Sequence, residues 1–485
     1  MDGVIAAAEP IVQPSPRQDD HIGEPRPVAQ RRDWRVVTVA GFGGGRDERK
    51  ALREAAALNS TLVQIHDDAA PPHARELLVI EDIHGEALSE NRLRQYWHRP
   101  PYAMVLRLVR YAPGSSDGEL IDGAVISTRD KREQFYARVY DTAARLLSDA
   151  IAGTGRGTFN SSFDAGLLRS RPWPLSSVLD RFTMRWRQRL LMEWWSVGFT
   201  TMPLVDILKG GRLDCIHWLS PLAGTDYLAD PFPRVGTDQV FCEQRTIGDG
   251  NGSIVAIAPD HDGTFQKTST ILAGDRHHSY PCLFQRDGTS YLLPESPERG
   301  ATVLYTLAAD SSLVPICTIA PGRRLADPTL FHHEGRFWIA YTDLDIGAHN
   351  NLCLMHASNI EGPWLPHRCM PVKIDICGAR SAGMPIRIGD ALYRPAQDCA
   401  HTYGAGLVIH KVELLTPDSF RESVVSRLRP DPAGPFPHGL HTLAAGDDRV
   451  WLDGKRNVFS LACVWTKIVD RLRWRRRDRS WASAR

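Results

Sequence analysis

Two Asp-Pro dipeptides, Asp230-Pro231 and Asp327-Pro328, each stand near the head of an apolar run, and Glu243 and Glu295 each close a later aromatic-bearing run. Aspartate before proline is a common turn starter whose side chain bonds nearby backbone N–H groups. Either dipeptide alone therefore has a structural reading as good as a functional one. Recurrence at matching positions of two similar units is what points to a shared site. Several carboxylates gathered in a polar cup suit carbohydrate chemistry. There one acid protonates a leaving oxygen, and a second group stabilises an oxocarbenium-like carbon or activates the acceptor. Like-charged neighbours raise one another's pKa, so one carboxyl keeps its proton while another ionises. Asp230, Asp327, Glu295 and Glu243 are the catalytic candidates on this basis. His278, Ser279, Tyr280, Arg380, Arg394, Asp398 and His441 are the candidate substrate contacts. Either histidine could act as a base toward a sugar hydroxyl, or be hydrogen-bonded scaffold. No metal ligand set is assigned, because no C-x-x-C pair or zinc-spaced histidine cluster occurs; a cation held by Asp230 and its neighbours stays open.

These residues meet only if a repeat brings them together, and from about Trp195 onward the chain has one. A polar tip, a proline or small residue, an apolar strand, a Gly/Asp turn and an aromatic strand recur in 229–244, 277–296, 325–343, 381–398 and 439–454. The turns are Gly236-Thr237-Asp238, Asp287-Gly288, Glu334-Gly335, Gly389-Asp390 and Gly446-Asp447, and such turns between apolar runs signal β-hairpins. The spacing of roughly 50 residues suits propeller blades. The intervening stretches SIVAIAP, TVLYTLA, LCLMHAS and GLVIHKVELL supply outer strands. The strand-like WWSVGFTTMPL ahead of the first unit could pair in the last blade and close the ring. The fold expected is mainly β: a five-bladed β-propeller preceded by a small α/β domain. In a propeller the innermost strands line the channel, so Asp230, His278 with Ser279, Asp327, Arg380 with Ser381, and His441 should converge at one mouth.

The 485 residues divide into a disordered N-terminal tail (1–32), a small α/β domain (33–152), a linker with a lead-in helix (153–194), the propeller (195–460) and a basic tail (461–485). In the α/β part, LLVIED, YAMVLRLVRY and ELIDGAVISTR read as strands, and Phe135, Val139, Ala143, Leu146 and Leu147 keep helical spacing. The glycines Gly41 to Gly45 miss the G-x-G-x-x-G spacing, since position 46 is Arg46, and read as a tight turn. The lead-in helix would carry Val178, Phe182, Trp186 and Leu190 on one face. A net charge of +1 gives no reason to expect nucleic acid. The basic tail, with Trp474 and Trp481 among its arginines, suits peripheral contact with an anionic membrane, or is a solvated terminus. Nine cysteines without a pairing pattern read as reduced thiols, and the acidic N-terminus does not resemble a signal peptide, so a cytoplasmic setting is expected.

Taken together, ADPF, HHSYP, PES, ADPTLF, EGPW, AGMP, YRPAQD, YG and GLHT resemble the N-terminal domain of glucosamine inositolphosphorylceramide transferases and its stand-alone bacterial relatives, over about Trp195 to Asn457. More broadly, the inner-strand signatures resemble the arabinanase/levansucrase/invertase superfamily of five-bladed propellers. That resemblance implies carbohydrate or glycolipid substrates, with Asp230 and Asp327 matching the superfamily's base and auxiliary aspartates. The general-acid glutamate of those glycosidases commonly heads a late blade, where this chain has Ser381-Ala382-Gly383-Met384-Pro385 and no carboxylate. Glu243 or Glu295 would have to replace it. The expected function is processing or transfer of a glycosyl unit in surface glycan or glycolipid assembly, and the alternative is a non-catalytic glycan-binding or scaffolding propeller. No cofactor motif is identified; a nucleotide-sugar donor would be compatible with transfer.

Overall fold

The computed structural model describes residues 35–40, 61–66, 77–98, 103–112, 115, 117–128, 132–153, 191–210, 213, 215–220, 222, 227–245, 251–298 and 300–459. The expected N-terminal tail, Gly41–Gly45 turn, lead-in helix and basic tail lie outside them. None of the described helices is long and apolar enough to cross a membrane.

The N-terminal unit is a mixed sheet with helices. Its elements are β1 (Arg35–Ala40), β2 (Thr61–His66), β3 (Leu77–Asp82), α1 (Glu90–His98), β4 (Ala103–Tyr111), β5 (Gly118–Ser127) and α2 (Arg132–Ile151). The strand order is β2-β1-β3-β4-β5, with β1 parallel to β2 and β3, and β4 antiparallel to β3 and β5. Strand β4 is apolar almost throughout because both its faces are covered. Met104, Leu106 and Leu108 join Ala124, Ile126 and the apolar stripe of α2, including Phe135, Val139, Ala143, Leu146 and Leu147. Ala103 and Val105, with Val125 of β5, face the other way, onto Ile376, Cys377, Cys399, Ala400 and Tyr403 of the C-terminal region.

The rest of the described chain is mainly β. It runs β6 (Leu191–Thr200), α3 (Leu204–Leu208), β7 (His217–Trp218), then β8 (Tyr227–Pro233), β9 (Val240–Arg245), β10 (Gly252–Pro259) and β11 (Phe265–Leu272). Next come β12 (Ser279–Arg286), β13 (Thr289–Glu295), β14 (Val303–Leu307) and β15 (Leu313–Thr318). They are followed by β16 (Leu325–His333), β17 (Arg336–Asp343), β18 (Asn351–Ala357), β19 (Leu365–Pro366) and β20 (Lys373–Ile374). The chain ends with β21 (Ile386–Ile388), β22 (Ala391–Asp398), β23 (Gly406–Leu415), β24 (Phe420–Leu428), β25 (Leu443–Ala445) and β26 (Val450–Phe459). Four sheets order their strands as β8 to β11, β12 to β15, β16 to β19 and β21 to β24. The fifth is β25-β26-β6-β7, so the first strand of this region pairs with the last along its whole length.

Each expected hairpin is a paired unit. Asp287-Gly288 and Glu334-Gly335 have positive φ at both positions (49° and 78°, 47° and 76°), as a two-residue turn matching strand twist requires. Asp230, Tyr280 and Asp327 also have positive φ (52°, 44° and 48°), each immediately before a proline. At each one the ladder skips, between Ala229 and Phe232, Ser279 and Cys282, and Ala326 and Thr329. The same β-bulge is thus built at the head of three sheets. A non-glycine residue in this region is strained by about 1–3 kcal/mol, and bulges re-aim side chains. The fourth head uses Gly383 at φ 116°, and a Cβ there would lie 2.0 Å from the Leu443 carbonyl oxygen. Gly383→Ala should therefore lower unfolding free energy by about 3 kcal/mol or more. Gly389→Ala, at a turn with open space around it, should lose only about 1 kcal/mol. Equal losses in denaturant titrations would contradict this packing.

Candidate functional site

The three bulged heads and the final hairpin meet in one buried hydrogen-bonded network. Asp453, just past the β25 pairing on β26, accepts the backbone N–H groups of His441 and Thr442 on Oδ1 (2.9 and 3.0 Å) and that of Asp230 on Oδ2 (3.0 Å). Asp230 in turn accepts the Thr442 hydroxyl at 2.8 Å and the Tyr280 N–H at 3.2 Å. The Tyr280 hydroxyl receives the Gly383 N–H at 2.7 Å and shares a hydrogen bond with Thr329, whose hydroxyl donates to the Asp327 carbonyl. The Asp327 N–H donates to Glu295 Oε2 at 2.8 Å. A continuous path therefore joins Asp453, Asp230, Tyr280 and Asp327, segments far apart in the chain.

Two ion-pair groups sit on this path. Arg380 grips Asp327 through Nε (2.5 Å) and Nη2 (3.1 Å), and Gln397 donates to the same carboxylate at 2.7 Å. Arg380 also donates to the Ala348 carbonyl and lies over the Tyr403 ring, 4.9 Å from its centroid. His441 stands between Asp453 (Nδ1 to Oδ2, 2.6 Å) and Asp230 (Nε2 to Oδ1, 3.4 Å), stacked on Trp195 with ring centroids 3.9 Å apart. Lys455 bridges Glu193 and the Tyr403 carbonyl, which ties the 399–404 loop to β6 and β26.

Electrostatics separates the carboxyls. Burial raises Asp230 to about 6; His441 opposes the rise, and Asp453 and Asp327 add to it. Burial, reinforced by Asp230, raises Glu243 to about 8. Glu295 is pushed well above the carboxylate range by burial and the nearby Asp327 charge. Burial would raise Asp327 too, but Arg380 outweighs it and holds the group below its ordinary value. His441 goes the opposite way from a typical buried imidazole, because Asp453 and Asp230 overcome burial and lift it to about 9. The site thus combines an ionised Asp327, neutral Glu295 and Glu243 acids, and an imidazolium between two carboxyls. Asp230, His441 and Asp453 present ligand atoms within 4.8 Å of one another. A cation there would compete with the proton that His441 holds between Asp230 and Asp453.

The sequence-derived residues divide into those the network includes and those it does not. Asp230, Asp327, Glu295, Arg380, His441 and Tyr280 belong to it, although Tyr280 is fully buried, its hydroxyl already bonded. Ser279 is buried and paired in register with Glu295. Glu243 lies beside it, its Oε1 near the Tyr227 hydroxyl (3.4 Å) and His277 Nε2 (3.7 Å). His277 Nδ1 accepts the Gly252 N–H, so Nε2 carries the ring proton toward Glu243. His278 is instead half-buried against Ser296. Asp398 faces Arg427 and caps the Ala400 N–H. Arg394 is bound to Glu422 and to the backbone of 378–379, not to the carboxylates of the mouth. Thr442, Gln397 and Asp453 were not anticipated. Asp453 had a readable signal, since it stands two residues after the aromatic Trp451 on a second strand as Glu243 stands two after Phe241.

Residues 212–431 match the family model described as glucosamine inositolphosphorylceramide transferase 1, N-terminal. Glucosamine inositolphosphorylceramide transferase 1 of Arabidopsis thaliana is 31% identical over 219 residues, covering 43% of this chain and 28% of that protein. The Oryza sativa subsp. indica protein of the same name is 28% identical over 210 residues, 42% of this chain and 28% of its own. The chain thus spans less than a third of these curated relatives. Among solved structures, an exo-beta-1,3-galactanase from Phanerochaete chrysosporium aligns at TM-score 0.33 and 16% identity, over 42% of this chain and 52% of that one. A family 117 glycoside hydrolase from Zobellia galactanivorans aligns at 0.35 and 14%, over 51% and 80%. Over residues 212–431 the chain is similar to the N-terminal domain of glucosamine inositolphosphorylceramide transferase 1.

Proposed function

We propose that the five sheets of residues 195–460 are the blades of a five-bladed propeller, closed by the pairing of β6 with β26, and that its mouth processes or transfers a glycosyl unit in surface glycan or glycolipid assembly. The observation that carries this reading is the junction of Asp230, Asp327 and Glu295 in one buried network with opposed protonation preferences. In this reading Glu295 or Glu243 supplies the proton to the leaving oxygen. Asp230, poised near 6, accepts a proton from the attacking hydroxyl, and Asp327 with Arg380 orients the sugar. A nucleotide-sugar would serve as donor if the reaction is transfer. The proposed partners are a carbohydrate or glycolipid, with membrane contact through the C-terminal arginines and no nucleic acid. The cytoplasm is the compartment proposed, on the unpatterned cysteines.

A second reading has its own support. Both aspartates are fully engaged by protein groups, and the Ser381–Pro385 head lacks a carboxylate, which favours a glycan-binding or scaffolding propeller. The full chain should be screened on a glycan array and incubated with glycans and nucleotide-sugars, followed by product analysis. A new reducing end or transferred sugar, lost in Glu295→Gln or Glu243→Gln, supports catalysis. Binding without product supports the second reading, and neither binding nor product sinks both.

A further inference from the structure

The guanidinium of Arg380 reaches Asp327 from the end of a short irregular segment, 375–380, and that segment is held from two sides. On one side the Ile376 N–H donates to the Val125 carbonyl of β5 at 3.0 Å, and the Ile376 carbonyl accepts the Cys399 N–H at 3.0 Å. This joins the segment to the N-terminal sheet and to the loop that carries Tyr403. On the other side lies a buried charge cluster that the mouth does not use. Glu422 accepts Arg394 through Nε (2.8 Å) and Nη2 (2.7 Å), and Lys373 at 2.8 Å. Two further donors of Arg394 go to backbone: Nη2 to the Gly378 carbonyl at 2.7 Å and Nη1 to the Ala379 carbonyl at 3.2 Å. Those carbonyls belong to the two residues immediately before Arg380.

We propose that Arg394 and Glu422 are positioning residues for Arg380, setting the segment from which it clamps Asp327, with β5 of the N-terminal unit as the opposing anchor. This rests on reading Asp327 and Arg380 as part of the functional mouth. The chemistry requires arginine. A planar fork with five donors can bind a carboxylate with one edge and two carbonyls with the others. Lysine at this position keeps the charge pair with Glu422 but cannot reach all four acceptors. Gly378 makes the same point sterically, since a Cβ there would lie 2.7 Å from His410 Cε1. The segment is seated against the cluster with no room to spare.

The test needs no ligand. In 1H–15N spectra of arginine side chains in the labelled full chain, the Nε–H of Arg380 is expected to be displaced from the free-arginine position and slow to exchange with water. Arg380→Lys identifies the signal. In Arg394→Lys, recorded well below its own melting temperature, exchange should quicken by about tenfold or more and the signal should move toward the free position. Gly378→Ala, which leaves Arg394 and Glu422 intact, should produce the same loosening, and it decides the matter if Arg394→Lys does not fold. A signal unchanged in the folded variants, with only the melting temperature lowered, would overturn the proposal and leave Arg394 a structural ion pair. Either result is independent of the glycan experiment, whose failure would remove the function of the mouth without touching this geometry.

Discussion

Asp327→Asn should unfold this protein roughly 5–9 °C earlier than the parent chain, a loss of about 3–5 kcal/mol, along with any glycan turnover or binding. Read from sequence alone, an aspartate heading a strand at a candidate site looks replaceable at little structural expense. The structure argues otherwise. Asp327 is 3% exposed and its carboxylate receives two N–H groups of Arg380 and one of Gln397. The next carboxyl to Arg380 is Glu295, at 4.0 Å and neutral by its raised pKa. Asparagine would leave a buried guanidinium without a counter-ion and turn an amide N–H toward other donors. Breaking a buried pair from one side is costly for this reason, whatever the net value of the pair.

Asp230→Asn should be much milder, about 1–2 kcal/mol, although the two aspartates occupy matching positions in sequence. Asp230 is already inclined to hold a proton near pH 6, and an amide imitates a protonated carboxyl. One oxygen is kept to accept the Thr442 hydroxyl or the Tyr280 N–H. Thermal melts of the two variants side by side decide it. Equal losses would mean that the Arg380 clamp does not set the difference.

The strands, hairpins and the pairing of β6 with β26 were legible because two signals are local. Gly-containing turns fix where a strand reverses, and alternating apolar residues fix which face is covered. Asp287-Gly288 and the aromatic residues after each turn carry both. The same logic placed α2 and β3, whose apolar spacing is uninterrupted, but missed α1, whose sequence ENRLRQYWH is mostly polar and reaches the core only through Leu93, Tyr96 and the partly buried Trp97. The fourth strand β11, FQKTSTIL, was also missed, because it is largely exposed and carries little apolar alternation. The site was half legible. Asp-Pro recurrence marks Asp230 and Asp327, and the head between them is legible through His278, Ser279 and Tyr280, with tyrosine in the aspartate's place before proline. Arg394 and Asp398 are candidate substrate contacts in the sequence, and both stand on the second strand β22. Strand position does not tell which partners a long side chain chooses, and Glu422, from β24, claims Arg394.

Stability should be greatest on the acidic side of neutrality and should fall as pH rises from about 6.5 to about 9. The sign follows from the folded-state shifts. His441 is raised from 6.5 to about 9, so the folded chain holds a proton that the unfolded chain releases. The stabilisation is complete below 6.5 and is lost as pH climbs through 9, at most about 3 kcal/mol. Glu243, raised from 4.5 to about 8, pushes the same way from about pH 4.5 upward, and Asp230, raised to about 6, and Glu295 do so too, because each buried carboxyl must ionise as pH rises. At the acid end Asp327 and Glu422 act in reverse. Burial opposes their charge, but Arg380 and Arg394 hold both below their ordinary values. Their contribution stands above about 4.5 and decays as pH falls further. Melting temperatures measured from pH 4 to 9.5 at constant ionic strength should therefore trace an asymmetric dome. His441→Gln should flatten its alkaline limb while lowering its top, because the variant no longer has an imidazolium to lose. A parent chain whose melting temperature is level between 6.5 and 9 would mean that His441 is not held charged between Asp230 and Asp453, and the electrostatic account of the mouth would fall with it.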